Sequence, residues 1–238
     1  MTSDASNLPE HGSPLRPEAR ADDPVAVQLR GFGPLGLLSI LVIVLTSVVK
    51  PLGGLLVLLW AWRSHTPWRD IGYLRPRSWI GSLAVGVVFG CVFKFVMKAI
   101  VMPLLGAPEI NSAYHYVIGN RAALPGLVFT MIVGAGFGEE TIFRGYLFER
   151  LSKLLGTGAS AKVLIVLLTS AVFALGHYAN LGLPGVEQAM ITGLVFGAIF
   201  AVTGRIWMVM CAHAAFDLTA VAIIYWNLEA AVAHLVFK

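Results

Sequence analysis

The sequence predicts an all-α fold, a polytopic transmembrane helical bundle of about six to eight membrane segments, and three observations carry that prediction. The 238-residue chain is 57% hydrophobic and only 13% charged, whereas a soluble domain carries about 25% charged residues. Apolar runs of bilayer-crossing length recur along the chain. Its Lys and Arg residues gather in alternate connections between those runs, the pattern that sets membrane orientation.

Taken in order, residues 1–30 read as a disordered polar N-terminal tail. They mix acids and bases with prolines and show no apolar period. No signal peptide is expected there, because a basic n-region with a short h-region is missing. Residues 31–238 form the transmembrane domain. Its first apolar stretch, Pro34–Trp62, is broken by Lys50-Pro51. Proline removes a backbone donor, so this is one kinked span or a hairpin of two short segments. Arg63–Arg77 follows as a basic connection flanked by Trp62, Trp68, Tyr73 and Trp79, aromatics suited to the membrane interface.

Trp79–Met102 is the next span. Lys94 and Lys98 lie one turn apart on one face, where they snorkel to an interface or face a polar interior; the anchor reading is favoured. A polar connection, Pro103–Ala123, leads to the apolar run Leu124–Ile142, whose helix continues to about Leu155. Val163–Leu175 ends at His177, and Tyr178–Val186 reads as a loop without Lys or Arg. Gln188–Val202 and Ile206–Trp226 are the last spans, joined by Thr203-Gly204-Arg205. Basic residues at 63–77, 144–162 and 205 fall on one side, which the positive-inside tendency places in the cytoplasm.

A net charge of +4 would suggest nucleic acid in a soluble protein, but here the bases occupy membrane connections, and no nucleic-acid partner is expected. Cys91 and Cys211 lie inside apolar runs without CxxC spacing, so neither a disulfide framework nor a metal knuckle is signalled.

Ionisable residues inside spans are costly and mark function. In Gly138-Glu139-Glu140-Thr-Ile-Phe-Arg144, Glu140 and Arg144 share a helix face and can pair. Glu139 lies about 100° round the helix, free to point into a cavity. Phe173 and His177 also stand four apart, and imidazole suits proton transfer near neutrality. His213 and Asp217 share a face of an otherwise apolar helix. Asp217 can orient His213 through one ring nitrogen, or both can bind a metal. Each motif alone is weak, although the cost of a buried unpaired charge already argues against mere packing of His213 with Asp217; three on separate apolar segments require water or a polar substrate in an intramembrane active-site cavity.

The chain has no HExxH, no GxSxG and no second aspartate within a span. A carboxylate and an imidazole sharing one water remain, acting as general base and then acid. A second histidine can serve the oxyanion.

The three motifs, Glu139-Glu140-Thr-Ile-Phe-Arg144, Phe173-Ala-Leu-Gly-His177 and His213-Ala-Ala-Phe-Asp217, resemble those of the CAAX protease and bacteriocin-processing family, which includes the type II CAAX prenyl endopeptidases. The segment WRDIGYLRPR and the turn TGRIW are similar too, so the resemblance runs from about Trp68 to Tyr225. It implies a membrane-embedded endopeptidase with Glu139 and His177 on the nucleophilic water and His213 and Asp217 on the oxyanion side. Glu140, Arg144 and Phe173 would support the site or bind substrate. Position 217 is Asp where the family also has Asn, and an ionised Asp cannot donate a hydrogen bond. If a metal takes part, Glu139, His177 and His213 would supply three zinc ligands.

The expected substrate is a membrane-associated peptide or protein, prenylated or not, and membrane lipid surrounds the protein. The expected location is the bacterial plasma membrane. Two other classes fit the same residues: a non-catalytic membrane partner or bacteriocin-immunity-type protein using the cavity, and an ion or solute carrier. The carrier lacks a visible inverted repeat.

Overall fold

The computed structural model describes residues 23–237. Most of the expected polar tail lies outside them. Its last part does not follow the expectation: Pro24–Arg30 is a helix, α1. The Asp23 carboxylate accepts from Val25 N at 2.9 Å, and Pro24 stands in the first turn, two start signals that outweigh the polar composition.

The first apolar stretch resolves into two short helices, α2 (Pro34–Leu45) and α3 (Lys50–Arg63), with a 3₁₀ turn at Thr46–Val48. They form a hairpin. Ile43 of α2 packs with Val57 and Trp60 of α3, and Asp23 pairs with Arg63, which ties the start of α1 to the end of α3. The Arg63 guanidinium and the Val25 amide hold the Asp23 carboxyl below its usual range.

Four longer helices are apolar enough to cross a bilayer: Trp79–Leu104 (α4), Leu124–Leu155 (α5), Tyr178–Thr203 (α7) and Ile206–Tyr225 (α8). Counting the bent pair Pro24–Arg30 and Pro34–Val48 as one span gives up to five among the described residues, fewer than the expected six to eight. The difference lies in short helices: Pro51–Arg63 and α6 (Ala159–Leu175) are apolar but fall below spanning length. The expected loop at 178–186 is instead the start of α7, interrupted at Gly182 (φ 61°, ψ −158°). Pro184 disfavours helical backbone at the residue before it, and glycine supplies the break. Glu229–Ala233 forms the short α9.

The central helix is α5. Every residue from Gly138 to Arg150 is buried. Its Thr130–Glu139 and Thr141–Tyr146 stretches are wound as π-helix, a widening common at functional sites and invisible to a 3.6-residue period. Close approach among α4, α5 and α8 depends on missing side chains. A Cβ on Gly90 of α4 would stand 2.1 Å from Ala212 O of α8, and one on Gly136 of α5 would stand 2.9 Å from Ala214 Cβ.

The basic connections meet at one end of the bundle. Arg205 donates to Arg75 O at 3.1 Å, and Arg150 donates to Leu29 O and Arg30 O at 3.3 and 2.9 Å. Tyr73, in the 63–77 connection, donates to Thr141 Oγ1 at 2.7 Å, since the Thr141 proton is committed to Phe137 O. Burial pushes the Tyr73 phenol up to about 12, so it remains a neutral donor.

Candidate active site

Burying charged side chains along α5 is costly unless each finds a partner. Glu140 is fully buried, and its Oε1 accepts from Arg144 Nη1 at 2.9 Å. Arg144, 1% exposed, donates also to Gly193 O of α7 at 3.2 Å and stands 5.0 Å from the Phe173 ring centroid. These contacts hold the guanidinium and, through it, the carboxylate.

The same Glu140 oxygen accepts from His213 Nδ1 at 2.6 Å. A carboxylate only accepts in this contact, so Nδ1 carries the proton and Nε2 is the free ring position. Nε2 lies 3.6 Å from Glu139 Oε2 and 3.7 Å from Asp217 Oδ2. Both gaps exceed a direct hydrogen bond. His213 is therefore oriented by Glu140 and not by Asp217, as the i,i+4 spacing had suggested. It stands beside the two glutamates. The long-range contact between α5 and α8 wins because Nδ1 has only one near carboxylate.

His177 sits at the junction of α6 and α7, with Nδ1 donating to Phe173 O at 2.8 Å. Nδ1 again carries the proton, which leaves the Nε2 lone pair outermost. The Phe173 ring is shared by both histidines, with centroids 4.7 Å from His177 and 6.0 Å from His213. Phe143 packs on the same ring at 5.1 Å.

A cavity of about 110 Å³ lies against this array, lined by His177, His213, Asp217, Thr192, Gln188 and Lys94 among others. It is large enough to hold water. The Asp217 side chain is 24% exposed, the most open of the carboxylates on His213.

Among the described residues, no group of three or more His, Cys, Asp or Glu side chains is placed to hold a metal ion. The zinc set read from the sequence, Glu139, His177 and His213, is thus not assembled. Glu139 and His213 approach to 3.6 Å, and the Phe173 ring stands against both imidazoles.

Sequence reasoning singled out Lys94 but favoured an interfacial anchor. It is buried instead, 7% exposed, with Nζ donating to Gln188 Oε1 at 2.9 Å and 4.7 Å from the Phe216 ring centroid. Gln188 and Thr192 carry no distinguishing signal in the sequence, because both are polar uncharged residues within an apolar helix.

Residues 121–219 match a family model described as type II CAAX prenyl endopeptidase Rce1-like, a family of membrane proteases. The match bears out the family resemblance drawn from the three motifs, and all of their residues lie within it. No curated protein and no solved structure matches the chain. With its apolar helices, the match identifies an integral membrane protein.

Proposed function

We propose that the chain is an intramembrane endopeptidase that hydrolyses a peptide bond of a membrane-associated or lipidated substrate with water as the nucleophile. The observation that carries this reading is His213, locked to Glu140 through Nδ1, with Nε2 3.6 Å from Glu139 and 3.7 Å from Asp217. Glu139 takes a proton as the water oxygen attacks the carbonyl carbon. The His177 Nε2 lone pair accepts the water's second hydrogen bond. His213 and Asp217 line the carbonyl side. Glu139 then returns the proton to the amide nitrogen as the C–N bond breaks, leaving a carboxylic acid and an amine. Glu140 and Arg144 fix the array and take no proton.

The matched family's description names prenylated CAAX chains, and the structure offers an apolar chain a place. A cavity of about 770 Å³ lies among α4, α5 and α8, lined by Val87, Phe95, Phe137, Met210, Leu218 and Ala222 among others. The clustering of basic connections at one end of the bundle supports an orientation with that end in the cytoplasm, in a bacterial plasma membrane.

The test compares protein termini in cells carrying wild-type or Glu139→Gln protein, then assays the full-length proteins in liposomes. Termini that depend on Glu139, and a rate loss of about 10²-fold or more in Glu139→Gln and His177→Ala, are expected. Cleavage surviving both changes overturns the reading. An unchanged cellular phenotype in Glu139→Gln would instead favour a non-catalytic, immunity-type partner.

A further inference from the structure

Peptide hydrolysis builds negative charge on the carbonyl oxygen, and donors must already face it. A census of the cavity wall finds few. Thr130 and Thr192 spend their hydroxyl protons on Gly126 O and Ala189 O of their own helices. His177 and His213 spend Nδ1–H on Phe173 O and Glu140. Asp217 as a carboxylate only accepts. The other donor-bearing side chains on the wall are Asn111, Tyr114, Gln188 and Lys94, and only Lys94 is a cation.

Lys94 is also the member whose position is hardest to explain without a ligand. An ammonium has three donors, and among the described residues Gln188 Oε1 is its one hydrogen-bond acceptor. The group is buried at membrane depth on α4, where a cation is retained for function. It does not snorkel. Lys98, one turn on, is engaged by Glu229 at 3.4 Å and by Glu109 O, so the two lysines are not equivalent. The Lys94 side chain borders the hydrolytic cavity and an adjoining one of about 140 Å³ lined by Lys98, Pro108, Ser112 and Glu229.

We infer that Lys94 is the oxyanion-stabilising residue of this site, donating to the substrate carbonyl oxygen as the tetrahedral intermediate forms. The inference rests on the hydrolytic reading above. It resolves the difficulty at position 217: with Asp where an Asn could donate, the donor comes from α4, and the Asp217 carboxylate lines the same cavity as the ammonium. No bond forms to Lys94, whose hydrogen bond to the oxyanion lapses when the carbonyl re-forms.

The test uses full-length protein in liposomes with an internally quenched S-farnesyl peptide. Lys94→Met lowers kcat about 10²-fold with little change in KM, and Lys94→Arg retains an intermediate rate. Asp217→Asn, added to Lys94→Met, supplies a neutral donor and recovers part of the loss, which repacking alone would not do. Thermal unfolding of each variant in detergent separates misfolding from chemistry. A Lys94→Met enzyme within threefold of wild-type kcat, or one whose loss Asp217→Asn does not relieve, overturns the inference and leaves the hydrolytic reading standing. A wild-type protein inactive on this peptide overturns both.

Discussion

The seam between α5 and α8 has two faces built from the same helices and put to opposite uses. On one, Glu139, Glu140 and Arg144 of α5 meet His213 of α8, all buried and joined by contacts as short as 2.6 Å. On the other, Gly136, Phe137, Ala214 and Ala215 border an apolar cavity of about 770 Å³. Charged groups have strict demands on geometry and on partners, so the first face is tightly bonded around a small cavity. Apolar surface at membrane depth makes no such demand, and lipid tails can fill a gap without loss. The polar face should therefore be brittle and the apolar face tolerant.

The sharpest way to break that contrast is Arg144→Met. The change leaves Glu140 buried with one fewer donor, and stripping one partner from a buried ion pair costs about 3–5 kcal/mol. Thermal unfolding in detergent should show the loss, and the double change Glu140→Met with Arg144→Met should recover much of it. An Arg144→Met protein as stable as wild type would mean that the polar face is not held together by this pair.

This contrast was only half legible in the sequence. The carboxylates and histidines stand out because ionisable residues are scarce in apolar runs, and the four-residue spacing of Glu140 and Arg144 correctly puts them in contact. The partner of His213 was not legible. Its spacing to Asp217 is local, whereas its bond to Glu140 spans 73 positions and depends on how α5 and α8 cross. The π-winding of α5 was hidden for a related reason: it follows from tertiary packing and has no residue signature. Nor does the apolar cavity leave a trace, because the residues lining it look like any lipid-facing helix surface. Lys50-Pro51 marked a break, yet only tertiary contacts such as Ile43 on Val57 and Trp60 show the hairpin.

A smaller effect tests the tolerant face. Ala222→Phe pushes a ring into the apolar cavity from α8. Stability should stay within about 0.5 kcal/mol, as for substitutions away from buried networks. If a lipidated substrate rests its chain there, KM for an S-farnesyl peptide rises about tenfold with kcat nearly unchanged, the mark of lost ground-state binding. Equal KM values for the variant and wild type would remove the chain from this cavity and assign the space to bulk lipid.

The smallest effect lies at the rim of the polar face, where α9 is pinned to the 103–123 connection. Glu229 accepts from Asn111 N at 3.0 Å, and His234 Nε2 meets Glu109 Oε1 at 2.7 Å. The hydrogen bond to Phe237 O and the Glu109 carboxylate both raise the His234 pKa above its usual value. A raised pKa in the folded state means that the imidazolium bridge stabilises fully below about pH 6.5, the ordinary imidazole value, and is lost as pH climbs through the raised value. Hydrogen exchange across 229–237, corrected for intrinsic rates, should therefore quicken as pH rises above about 6.5, and Glu109→Gln should flatten the change. Exchange at 139–150 should stay protected throughout, because the Glu140–Arg144 pair lies out of reach of solvent. A pH response that spread into those residues would show the rim and the buried array opening as one unit, and the two faces of the seam could no longer be treated as independent.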